Sequence, residues 1–186
     1  MRRSAAVVLI SLLSGGTVDL VPALADPVAG RIVRVVYKVA FQGGGPQDAT
    51  WGFHLAHMSD GQYCLRFGDP GRLALANIRR NHDMCFSGLP GRVERSAERA
   101  ASPYEPDGQG DAAEVTTFQK GSIARAGNDI ILDIDFCAQM QKEANPRCFP
   151  NRYIVHMHGE ACAAEIILSS SSARAIDPTC EHYKAE

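Results

Sequence analysis

The residues best suited to chemistry are two histidines, His156 and His158, just before a Gly159-Glu160 turn. Strand positions two apart project from one face, so both imidazoles can reach one ion. A hairpin about that turn sets His156 opposite Ala163 and His158 opposite Ala161, and it leaves Glu165 on the diagonal to His156. Two imidazoles and a carboxylate suit zinc or copper, which makes His156, His158 and Glu165 the expected metal ligands. Methionines add a second hint of copper, because thioethers select the cuprous ion. Met58 follows His57, Met84 lies close to His82, and Met157 separates His156 from His158. The same alternation puts Met157 on the face opposite its two neighbours, so these three cannot share an ion. Asp133 and Asp135 also share a face, as acid–base carboxylates can, but Ser122 and Lys120 across the strand explain them as a charged surface. No Gly-x-Ser-x-Gly elbow, phosphate loop or His-Glu-x-x-His stands anywhere in the chain.

The six cysteines, Cys64, Cys85, Cys137, Cys148, Cys162 and Cys180, take their meaning from the compartment. Arg2 and Arg3 precede an apolar run from Ala5 to Leu13, and Ala23-Leu24-Ala25 offers a small-x-small cleavage site. This is the pattern of a signal peptide over 1–25, with a mature domain at 26–186 in the periplasm or outside the cell. Gly15, Gly16 and Asp19 break the apolar run too early for a membrane span, and none is expected after cleavage. An even cysteine count in an exported chain reads as disulfides, and Cys-x-x-Cys is absent. Successive cysteines enclose short segments, so the simplest scheme joins Cys64 to Cys85, Cys137 to Cys148 and Cys162 to Cys180.

The mature part, about 160 residues, is enough for one compact domain. Without Arg2, Arg3 and Asp19 its net charge is −3. A mildly acidic surface argues against nucleic acid as a partner. Arginines crowd the stretch from Arg66 to Arg99, but Asp69, Asp83, Glu94 and Glu98 are interspersed, the mark of a mixed-charge solvated surface.

Period two dominates the apolar pattern, and that implies half-buried strands. Val33, Val35, Tyr37, Val39 and Phe41 form one face of a long strand, closed by Gly43-Gly44-Gly45-Pro46. A three-residue loop over Ser59–Gly61 pairs Leu55 with Leu65, Phe53 with Phe67 and His57 with Tyr63 on the core side, with His54 facing Arg66 outside. A Gly127-Asn128 turn sets Ile123 against Leu132, Ser122 against Asp133 and Lys120 against Asp135. The Gly159-Glu160 turn sets Tyr153 against Ile166, Val155 against Ala164 and Met157 against Cys162. Residues 87–113 are polar and rich in Pro and Gly, so a long loop is expected there, with a helical turn or two around Val93–Ala101. The fold class is all-β: an antiparallel sandwich or small barrel of about eight to ten strands, disulfide-stapled.

Trp51-Gly52-Phe53-His54-Leu55, leading to Tyr63-Cys64-Leu65-Arg66-Phe67 and on to Cys85, resembles the opening of the periplasmic alkaline-metalloprotease inhibitors. Those are small all-β barrels with a Trp strand, a cysteine strand and a disulfide-closed loop. The similarity covers about 35 residues. The chain departs from that pattern in its four further cysteines, longer body and lack of a second Trp. The resemblance implies an inhibitor-like binding function. The expected function is an exported, non-catalytic binding module for an unknown protein or small molecule, with residues 87–113 as its contact surface and no cofactor required. The alternative is a periplasmic copper- or zinc-binding protein using His156 and His158, and third comes a hydrolase of unknown type.

Overall fold

The computed structural model describes residues 26–42, 50–104, 113–140, 144–170 and 172–185. The expected signal peptide lies outside them. The described chain runs through β1 (Arg31–Phe41), β2 (Thr50–His57), β3 (Tyr63–Phe67), a short helix α1 (Leu75–Arg80) and β4 (Met84–Phe86). It continues through β5 (Gly91–Val93), β6 (Arg99–Tyr104), β7 (Ala113–Ala126) and β8 (Asp129–Met140), and ends with β9 (Arg147–His158), β10 (Ala161–Leu168) and β11 (Ala173–Lys184). Two antiparallel sheets result. One has the order β11-β1-β2-β3-β4; the other runs β10-β9-β8-β7, with β5 and β6 both paired to the far edge of β7.

The sheets face each other as a sandwich, and no hydrogen-bonded closure turns them into a barrel. Alternation explains the packing. Val33, Val35, Phe53, Leu55 and Leu65 point inward from the first sheet and meet Ile130, Leu132, Ile134, Tyr153 and Val155 from the second, all of them buried. Hairpin pairs Leu55–Leu65, Ile123–Leu132 and Val155–Ala164 follow the registers read from the apolar pattern. Three disulfides staple the whole: Cys64–Cys85 joins β3 to β4, Cys137–Cys148 joins β8 to β9, and Cys162–Cys180 ties the edge of one sheet to the edge of the other.

Two expectations change. The segment 87–113 is not one long loop with a helical turn, since β5 and β6 lie within it and β7 supplies partners for Arg92 and Arg99 at Ser122 and Thr117. An edge with unpaired amides and carbonyls recruits even short polar segments; residues 105–112 lie outside the described residues.

Nor does His54 face solvent. It is wholly buried, because the chain from Gly68 to Asp83 folds over the outer face of the first sheet. There Ile78 of α1 packs with Ile32, Ala56, Met58 and Cys64 in a second, smaller core. Tyr183 anchors this cover: its hydroxyl accepts from the Leu73 amide at 3.0 Å and donates to the Leu73 carbonyl at 2.9 Å. Nε2 of His54 lies 2.8 Å from the Gly71 carbonyl oxygen, while its Nδ1 is buried without a partner. Burial holds the His54 pKa below its ordinary value.

Candidate binding cleft

At one end of the sandwich the two sheets do not close on each other. The reason lies in β11. A bulge opposite Tyr37, at Asp177-Pro178, shifts the β11 register. Asp177 takes a positive φ of 51° there, a conformation aspartate tolerates better than most residues. On the near side of the bulge the core-facing residues are Ala173 and Ala175. Ala173 lies opposite Phe41 of β1. Methyl side chains cannot span sheets packed about 10 Å apart, and a cleft of about 540 Å³ remains.

Its walls are aromatic. Tyr37 pairs across strands with Trp51, and Phe136 pairs with Phe149. Phe67, Phe136 and Tyr153 form the inner surface, with Phe67 and Phe136 edge-to-face at 5.1 Å and Phe53 edge-to-face with Tyr153 at the same distance. At the mouth stand Phe41, Trp51 and Phe149, exposed by 43%, 50% and 54%. These are three of the five large apolar side chains exposed among the described residues, so the exposure is concentrated rather than scattered. Besides the hydroxyls of Tyr37 and Tyr153, the polar lining is Asn151, Ser169 and Ser170, and among the described residues no charged side chain contributes. The rings of Tyr37 and Tyr153 lie 6.4 Å apart, and burial pushes the pKa of both up, so both are neutral across the physiological range. Such a cleft can hold a neutral, largely apolar group.

Histidines mark the opposite end. His156 and His158 share a face of β9, their rings stacked at 6.4 Å and 16°. They lie opposite Ala163 and Ala161. The carboxylate at hydrogen-bonding distance from His156 is that of Asp129, with Oδ1 2.9 Å from Nδ1, while Glu165 pairs with Ile154 and is exposed. Asp129 was not singled out from the sequence because the β8–β9 register that brings it to His156 does not depend on a tight turn. A carboxylate on Nδ1 leaves Nε2 as the outward ligand atom. Close by, His57 stacks on Tyr63 at 4.6 Å and lies 2.7 Å from Asp26 Oδ2. Burial, with help from Asp26, pushes the Tyr63 hydroxyl up to about 12.

The arginine-rich stretch is largely paired. Arg99 lies 2.9 Å from Asp83 and Arg72 lies 2.7 Å from Glu181, as a mixed-charge surface requires. No family model, curated protein or solved structure matches this chain. The two open-edged sheets also differ from the small barrel that the Trp51–Cys85 resemblance implied. Among the described residues no helix is long and apolar enough to cross a membrane. A disulfide-rich all-β fold of this kind is compatible with an extracellular binding domain, and three disulfides are typical of extracellular or periplasmic proteins.

Proposed function

We propose that this protein is an exported, non-catalytic binding module whose aromatic cleft takes the neutral apolar part of its ligand. The observation that carries this reading is the concentration of Phe41, Trp51 and Phe149 around an opening of about 540 Å³ to which no described residue brings a charge. Leaving that much aromatic surface in water is unfavourable by roughly 25 cal/mol per Å². A ligand covering about 200 Å² of it gains on the order of 5 kcal/mol before ordering costs. The cleft replaces residues 87–113 as the proposed contact surface, because those residues are partly consumed in pairing with β7.

Trp51 is the sole tryptophan and stands at the mouth, so it reports occupancy directly. The test is titration of residues 26–186 with N-phenyl-1-naphthylamine, a neutral apolar fluorophore, following energy transfer from Trp51. Saturable binding, displaced by a long-chain alcohol and abolished in Ala173→Trp, is the expected result. Non-saturable uptake, or binding unchanged when Ala173→Trp fills the cleft in a protein of unaltered melting temperature, refutes the reading.

A further inference from the structure

Away from the cleft, the outer surface beside α1 carries a different kind of chemistry. Cys64 and Cys85 are directly opposed on β3 and β4, with Cα atoms 4.1 Å apart, and are joined as a disulfide. His82, from the turn that precedes β4, brings a ring nitrogen to them. The ligand atoms of Cys64, His82 and Cys85 all lie within 4.8 Å of one another, and among the described residues no other group of three metal-competent side chains does this.

Two further features suit a metal. Nδ1 of His82 lies 3.2 Å from the Arg79 carbonyl oxygen. Donation there holds the ring in the tautomer whose Nε2 keeps its lone pair, the backbone support common behind ligating histidines. The three side chains also line a surface recess of about 340 Å³ together with Met58, a buried thioether. Thiolate and thioether sulfurs are soft donors that favour cuprous copper among other soft metals, and imidazole also ligates copper. While the disulfide stands, its sulfurs have no charge to give.

We propose that reduction of the Cys64–Cys85 bond converts this recess into a site for one cuprous ion, with both sulfurs and His82 as ligands. The reductant is a dithiol. Its thiolate attacks Cys85, the more exposed of the two residues, and Cys64 leaves as a thiolate. The second thiol of the donor then displaces Cys85, so the donor becomes a disulfide and this chain a dithiol. Two electrons and two protons have moved to the protein. Binding of the ion releases those two protons as both thiols become thiolates.

The experiment compares oxidised and phosphine-reduced protein, without oxygen, in competition with bicinchoninate for cuprous copper. Reduced protein should take up one ion per chain, oxidised protein none, and X-ray absorption should show two sulfur ligands and one nitrogen. Cys64→Ser with Cys85→Ser should abolish uptake, whereas Cys137→Ser with Cys148→Ser should retain it. His82→Ala should weaken binding at least about tenfold and remove the nitrogen ligand. Uptake that survives loss of Cys64 and Cys85, or that His82→Ala leaves unchanged, overturns the proposal. So does a reduced chain whose Trp51 emission matches denatured protein and which copper does not restore.

Discussion

Replacing Glu181 by Gln should destabilise the protein at neutral pH and make little difference in acid. Glu181 lies on the outer face of β11, where Arg34 of β1 approaches it to 2.8 Å and Arg72 of the covering segment to 2.7 Å. Arg34 also binds the Pro70 carbonyl, so one carboxylate fastens the cover to two adjacent strands. The hydrogen bonds and charge of Arg72, then of Arg34, hold its carboxyl at about 2, against an ordinary 4.5. That gap corresponds to at most about 3 kcal/mol. Arg72 is 66% exposed and its attraction is screened by water and salt, which leaves about 1–2 kcal/mol. The folded value is the depressed one. The stabilisation is therefore complete above the unfolded value of about 4.5 and is lost as pH falls towards 2. Urea unfolding followed by Trp51 emission, at pH 7 and at successive steps down to pH 2, measures it. Glu181→Gln should lie about 1–2 kcal/mol below the parent at pH 7 and converge with it in acid. Equal stabilities at pH 7, or a difference that persists unchanged at pH 2, would refute the argument.

Two other substitutions probe the packing. A Cβ at Gly121 would lie 2.7 Å from both the Asp133 carbonyl oxygen and Cδ1 of Ile134, so Gly121→Ala should cost about 1–3 kcal/mol. Thermal melting should show partial recovery with Ile134→Val, and a Gly121→Ala protein that melts like the parent would contradict the close approach. His54→Ala should cost about 2–4 kcal/mol by opening space beneath Gly71. Because burial lowers the His54 pKa, the parent should lose stability as pH drops below about 6.5, where the unfolded imidazole takes a proton that the folded one refuses. Denaturation at pH 7.5 and 5.5 should show a shallower decline in the variant, and identical declines would remove His54 as a cause.

Much of the second sheet was legible because tight turns pin register locally. Once Gly127-Asn128 and Gly159-Glu160 are turns, a one-residue slip would carry Leu132 or Val155 to the wrong face. The same holds for Phe53 opposite Phe67 across the Ser59–Gly61 loop. What escaped was what depends on distant chain. Alternation correctly set His54 on the face away from the main core, but alternation does not say whether that face is wet, and the Gly68–Asp83 segment covers it. In β11 the bulge changes the parity of the core-facing positions, from Ala173 and Ala175 to Cys180, and so erases the period-two signal. The aromatic residues of the cleft could be read as core-facing. Their exposure could not, since it follows from small side chains on β11, more than 130 residues after β1. Of the metal candidates, the spacing put His156 and His158 on one face, whereas Asp129 needed the pairing of β8 with β9.

The pairing of β1 with β11 carries a consequence for how the molecule is made. The first and last described strands are zipped along their length, from Arg31 opposite Lys184 to Phe41 opposite Ala173. The Ala185 amide also donates to the Gly30 carbonyl oxygen at 3.1 Å. During synthesis β1 thus waits for that neighbour until all the strands between them have been made. High contact order of this kind makes folding slow. The same pairing bears on topology. It also places the two ends of the fold side by side, so a short linker between them, with new termini cut at the Gly127-Asn128 turn, should yield a circular permutant with the same sheets.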